Sequence, residues 1–345
     1  MNNNDFDLHV FITHFIPPKT SFRAKIMDFL LPRMKLEYLR SWARLVKHGT
    51  RGFQPWKKDI MTKPRRLQQS ERDSKLAEVV RVVESIEAST INFYIYTNSD
   101  FRISTTSKKS SICIKVFNQY DKFNTRNNSP WTDDYIKSPW NLLWEHKKDL
   151  IDFSRQEIKR KRIFLILEND VLFTGENLEY WLENRGRLRK VGLIPSFLRI
   201  EYEKNFGKWI CIDVHDSAFL DKVNKMNFEN SEFMQLPSLY SGLTVLDDEL
   251  LMEYVNSKAI KKDESKGLIW WDLGARASMG VQFVQIPEGF SDRHVIGLST
   301  TFDEIDKRAL VHHLPNLYSS VRELADKYTK LDQLNEHLCR DIHKQ

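Results

Sequence analysis

The chain has little of what cross-links or punctuates a fold. Its 345 residues include three cysteines, Cys113, Cys211 and Cys339, and 12 glycines. Three is an odd number, the spacings are wide and no CxxC pair occurs, which argues against a disulfide framework or a zinc site and fits a reducing compartment. Neither GxGxxG nor GxxxxGK[ST] is present, which counts against dinucleotide-dependent oxidoreductases and P-loop kinases. No apolar run approaches the roughly 20 residues that cross a bilayer, and the opening MNNNDFDLHVFITHF lacks the basic-then-apolar order of a signal peptide. A cytosolic location is the expectation. Internal repeats and low-complexity linkers are also missing, so a single domain over 1–345 with two lobes, about 1–175 and 176–345, is expected.

What the chain does have is aromatic residues, 12% of the total with nine Trp, and a modest net charge of +6 that is unevenly spread. From Arg33 to Arg66 it reads RMKLEYLRSWARLVKHGTRGFQPWKKDIMTKPRR, basic with Trp42, Phe53 and Trp56 interleaved. Leu36, Leu39, Ala43 and Val46 fall at helical spacing, so one reading is a solvated amphipathic helix with a loop. The other is a surface for acidic lipid headgroups or an anionic substrate, giving peripheral contact with the inner face of a membrane. No helix-turn-helix, zinc-finger or RNP signature supports nucleic acid as a partner.

Strand and helix patterns alternate. LHVFITHF, INFYIYT, SICIKVFN and RIFLILENDVLF read as strands, SKLAEVVRVVESIEA as an amphipathic helix, and SPWNLLWEHKKDL as a turn leading into another. This order predicts an α/β fold with a mixed, mostly parallel sheet flanked by helices. In the second half, SFLRIEY and KWICIDVHD read as a hairpin, and PSLYSGLTVLDDELLMEYVNS as a short strand followed by a helix. The chain closes on a polar amphipathic helix. The most strand-like segment ends in Glu168-Asn169-Asp170, and the C-terminal end of a buried parallel strand is where α/β sheets bind ligands. At strand spacing the two acids share a face, where they can hold one cation or flank one substrate, while Asn169 points away. The alternatives are that Asp170 caps a helix or that Glu168 pairs with a nearby Arg.

An apolar strand ending in such a triplet, after about 160 residues of α/β alternation and before YSGLTVLDDELLMEYV, resembles the GT-A fold glycosyltransferases over Leu8 to Tyr318. The resemblance implies a Rossmann-like nucleotide-sugar lobe and a C-terminal acceptor-side lobe. It also implies transfer from a nucleotide-sugar donor to a glycan or lipid-linked acceptor, as in surface polysaccharide synthesis. In that family the last carboxylate of the motif, here Asp170, helps hold Mn²⁺ or Mg²⁺ on the diphosphate, and a C-terminal histidine often adds a ligand. In ALVHHLPNLY the paired histidines cannot both face the same way if the segment is extended. His313 is the first choice as a ligand or phosphate contact, with a hydrogen-bonded structural histidine as the alternative.

The nucleotide is expected at the first strand, where Thr13 and His14 end the strand and Arg23 follows in a helix. Asn98 and Asp100, ending the second strand, are further candidates for ribose or base contacts, with an ordinary turn as the alternative. Glu168 belongs to the same donor-side group. Glu145 and Lys147 lie on the helix before the acidic strand and are placed against the donor, unless Trp140 and Trp144 beside them pack into the core. An inverting transfer needs a carboxylate base. Asp272, after two tryptophans able to stack on a sugar, is the first choice, followed by Asp247 and Asp248, which a helix N-terminus would equally use as caps. A metal-dependent phosphoryl-transfer enzyme or hydrolase, and a non-enzymatic basic binding module, are the competing readings.

Overall fold

The computed structural model describes residues 5–16, 67–120, 139–204, 207–215, 223–236, 239–268, 273–299, 304–320 and 325–340. The first half contains β1 (Phe6–His14), α1 (Gln69–Glu84), β2 (Thr90–Thr97), β3 (Ser110–Val116), α2 (His146–Ser154), β4 (Lys161–Glu168), β5 (Val171–Leu172) and α3 (Gly175–Leu188). The second contains β6 (Ile194–Pro195), β7 (Leu198–Glu203), β8 (Lys208–His215), β9 (Asn224–Phe228), β10 (Ser231–Gln235), β11 (Leu243–Asp247) and α4 (Asp248–Val255). It continues with α5 (Leu273–Ser278), β12 (His294–Gly297), β13 (Leu310–His313), β14 (Tyr328–Lys330) and α6 (Leu331–Arg340).

The fold is mixed α/β. Its first sheet has the order β11-β4-β1-β2-β3, parallel except for β11, which runs antiparallel to β4. β1 and β4 lie inside this sheet, and their apolar runs are buried on both faces, from Leu8 and Val10 to Ile12 and from Ile163 to Leu167. β3, at the edge, alternates partly buried with exposed residues. Helix α1 starts with a capping box formed by Gln68 and Glu71. It buries Leu76, Val79, Val80 and Val83, spaced to give one apolar stripe worth about 1.5–3 kcal/mol for each large side chain removed from water. This core is continuous with Leu334 and Leu338 of α6.

The anticipated strand RIFLILENDVLF is divided. β4 stops at Glu168, the chain turns at Asn169-Asp170, and β5 joins a different sheet of order β14-β8-β7-β13-β5. The triplet therefore stands at the junction of two sheets. β7 and β8 form the expected antiparallel pair, with Ile200 opposite Cys211. β13 inserts between β5 and β7, antiparallel to the first and parallel to the second. A third sheet, β6-β12-β10-β9, completes the second half. Among the described residues, no helix is long and apolar enough to cross a membrane.

Candidate functional site

After β1 the chain builds β2 and β3 on one side, then returns to place β4 on the other side of β1. A reversal of this kind opens a crevice between the C-terminal ends of the two strands at which it occurs. Register puts Thr13 of β1 opposite Glu168 of β4, so His14 lies beside Asn169 at the mouth of that crevice. His14 is fully buried and links three elements. Its Nε2 is 2.9 Å from Asp73 Oδ1 in the first turns of α1, and its Nδ1 is 2.8 Å from Asn169 Nδ2. Burial lowers its pKa, against the attraction of Asp73. Asn98, also buried, accepts from Ile16 N at 2.7 Å and donates to Ile16 O at 2.8 Å, pinning the chain as it leaves β1. Asp100 is exposed.

Asp170 faces His313. The insertion of β13 beside β5 places His313 opposite Val171, and Leu314 N donates to the Asp170 carbonyl at 2.8 Å, locking the two segments together. His313 Nε2 is 3.6 Å from Asp170 Oδ2, while its Nδ1 lies 2.5 Å from Glu201 Oε1 of β7. The other Glu201 oxygen accepts from the backbone N–H groups of Tyr318 and Ser319 at 2.9 and 2.7 Å. Burial alone would lower the pKa of His313, but the two carboxylates raise it to about 9. Burial would likewise raise Asp170, and His313 overrides it to hold that carboxyl below its usual range. His312 points the other way, its ring edge-on to Trp209 at 5.3 Å.

Glu168 is held by three partners. Arg199 Nη1 of β7 donates to its Oε2 at 3.0 Å, Tyr240 OH donates to its Oε1, and its backbone N–H donates to Gly242 O at 3.1 Å. Arg199 also grips Asp213 of β8, at 2.7 Å from Nη2. Burial pushes both Glu168 and Asp213 above the usual carboxylate range, and Arg199, flanked by two acids, keeps its charge. Gly242 has φ +66° and sits so close that a Cβ there would lie 2.7 Å from Glu168 Oε2. The alternative that Glu168 pairs with a nearby Arg is what the structure shows: the turn after β4 brings Asp170 to His313 and leaves Glu168 with Arg199, so the two acids have separate partners.

Other expected residues lie apart from the crevice. β11 is antiparallel to β4 with Asp247 opposite Ile163, which carries Asp247 and Asp248 to the far end of the sheet. There Asp247 caps α4 by accepting from Leu250 N at 2.8 Å and pairs with Arg185, and Asp248 pairs with Arg162. Asp247 is thus engaged as a cap and ion-pair partner and Asp248 as an ion-pair partner, both away from the crevice. Glu145 accepts from Tyr120 OH at 2.5 Å and from Lys148. Lys147 is buried with Nζ 3.8 Å from the centre of the Trp144 ring and within 3.3 Å of the Ala259 and Arg276 carbonyls. Burial lowers its pKa far below the ordinary value. Both side chains are engaged in packing rather than turned to a donor. Arg23, Asp272 and the basic stretch from Arg33 to Arg66 lie outside the described residues.

The sequence reading passed over Gln69, Asp73, Arg199, Glu201, Asp213 and Tyr240. A signal was present for three of them: FLRIEY and CIDVH set charges inside apolar strands, and a charge on a buried strand requires a partner. Among the described residues no group of three or more His, Cys, Asp or Glu side chains is gathered to hold a metal. Away from the crevice, a cavity of about 630 Å³ lies between α3, the β9–β10 turn and residues 297–299 and 304–308. Its Arg308 is paired with Glu183 and Asp306, and its Arg187 donates to Ser231. No family model matches the chain, and no curated protein matches it.

Proposed function

We propose that the chain transfers a sugar from a nucleotide-sugar donor, bound in the β1/β4 crevice, to a glycan or lipid-linked acceptor. The observation that carries this reading is the pair of Asp170 and His313 at the mouth of a topological switch point. Crevices of this type take nucleotides, and a carboxylate and an imidazole converging there suit a substrate bearing a diphosphate. The reading is also supported by the parallel order of β3, β2, β1 and β4, which the resemblance leads one to expect.

Once His313 gives up its Nε2 proton, the residues fit a divalent cation completed by substrate oxygens. Asp170 Oδ2 and His313 Nε2 lie 3.6 Å apart and face one another, a separation that two ligands of one ion can adopt with a small shift. Glu201 holds the other nitrogen of His313, the arrangement that orients a ligating imidazole. With two protein ligands, Mn²⁺ or Mg²⁺ would draw its remaining ligands from phosphate and water. When bound, the cation would neutralise charge building on the departing nucleoside diphosphate. The chain's own contribution is orientation: Arg199 keeps Glu168 fixed behind Asp170, and Asn98 fixes the backbone leaving β1.

The test is thermal unfolding with a panel of nucleoside diphosphates, with and without Mn²⁺, followed by release of nucleoside diphosphate from nucleotide sugars. A ligand at about 100 times its Kd stabilises by about 2.7 kcal/mol, enough for a clear rise in Tm. Stabilisation is expected to need both nucleotide and cation and to be lost in Asp170→Asn. Stabilisation by the cation alone would favour a hydrolase, and no response to either a binding module.

A further inference from the structure

The amide between the two acids, Asn169, turns to the buried ring of His14. Asp73 carries an acceptor-only carboxylate 2.9 Å from His14 Nε2, a contact that is a hydrogen bond only when Nε2 bears the proton; Gln69 Nε2 also lies 3.3 Å from this nitrogen. A neutral imidazole then has its lone pair on Nδ1, and that nitrogen needs a donor. Asn169 supplies one, its Nδ2 at 2.8 Å. Gln69 Nε2 donates to the same Asp73 oxygen at 2.5 Å. His14 is sealed, with 0% of its side chain exposed, whereas Asp73 is 43% exposed. Among the described residues, every bond to the Asp73 carboxylate falls on Oδ1, leaving Oδ2 with acceptor capacity on a part-exposed side chain.

We propose that Asn169 fixes His14 as the Nε2–H tautomer and, through it, holds Asp73 so that Oδ2 accepts a hydroxyl of the bound ligand. Asn169 and His14 are positioning residues in this relay, and Asp73 is the group that touches the ligand. The identity of the hydroxyl, on the ribose or the sugar of a nucleotide sugar, rests on the function proposed above; the tautomer does not. An acid in place of Asn169 could not donate to Nδ1. It would instead place His14 between two carboxylates and draw a second proton onto the ring. The other charged groups facing His14 are Arg72 and Asp170, of opposite sign.

Two measurements test the relay. In ¹⁵N-histidine NMR of the ligand-free protein at neutral pH, with the signal assigned by its loss in His14→Gln, wild-type His14 is expected to be protonated on Nε2 only. Asn169→Asp is expected to convert it to imidazolium. A wild-type ring protonated on Nδ1, or on both nitrogens, overturns the proposal without any variant having to fold. For the ligand, Asp73→Asn keeps an oxygen for His14 but replaces the free acceptor with a donor. It is expected to raise the KM for a nucleotide sugar about tenfold or more with kcat little changed, the size of a hydrogen bond to a charged group. Unchanged KM removes the role of Asp73. A wild type that neither binds nor turns over any nucleotide sugar removes both the transferase reading and its hydroxyl, while the NMR result still decides the Asn169–His14 half.

Discussion

His313 makes a quantitative prediction about stability. Its pKa is raised from 6.5 to about 9 by Asp170 and Glu201 despite burial. Each pKa unit corresponds to about 1.36 kcal/mol, so the folded protein holds this proton more tightly than the unfolded chain by about 3 kcal/mol. Solvent screens the interaction little, because the side chain is only 7% exposed. A raised pKa in the folded state stabilises fully below the unfolded value and is lost as pH climbs through the folded one. The contribution should therefore be complete near pH 6.5 and gone above about pH 9. His313→Gln cannot titrate. Urea unfolding of both proteins at intervals from about pH 6 to about pH 10 should show the wild-type advantage shrinking by about 3 kcal/mol across that window. His9, lowered to about 4, and His146 and His294, lowered to about 3, titrate below this window and are shared by both proteins, so they cancel. A wild-type advantage that stays constant with pH would refute the Asp170–His313–Glu201 ion triad.

Three substitutions probe the surrounding structure. Arg199→Met leaves Glu168 and Asp213 without their shared cation, and urea unfolding at neutral pH should show a loss of about 3–5 kcal/mol that diminishes as the acids are protonated. Gly242→Ala forces a left-handed backbone on a residue with a Cβ, costing about 1–2 kcal/mol, and drives that atom against Glu168. Its Tm should fall, and a crystal structure should show the Glu168–Arg199 pair displaced. Asp247→Asn retains a capping side chain and lies at the far end of the sheet, so kcat and KM should match wild type, and loss of turnover would return Asp247 to the list of catalytic candidates.

Much of the framework was legible because its signals are local. β1, β2 and β4 are apolar runs of strand length, and the burial of β1 and β4 on both faces follows from their interior positions in the sheet. The capping reading of Leu-Asp-Asp-Glu-Leu was also local, and α4 begins there. What could not be read was partner choice. Nothing near Asp170 states that β13 will enter beside β5, and nothing near Glu168 identifies Arg199 as its cation. The antiparallel sense of β11, which removes Asp247 from the crevice, is likewise set by distant packing. Nor does spacing reveal that the chain bends after Glu168, so the two acids that strand geometry would align diverge to separate partners.

The insertion of β13 also bears on the order in which the molecule assembles. Asp170 and His313 are about 140 residues apart in sequence, yet Leu314 N donates directly to the Asp170 carbonyl. Contacts across such a span close a long loop, whose entropy must be met before the contact stabilises anything, and a fold rich in them folds more slowly. The β1, β2 and β4 framework precedes β13 in the chain and emerges first from the ribosome. β13 is the strand that joins β5 to β7, and it brings the imidazole that pairs with Asp170. Because β13 follows Asp170 by about 140 residues, a chain cut short before Leu310 would carry β1, β2 and β4 but neither His313 nor the Leu314 bond that ties it to Asp170.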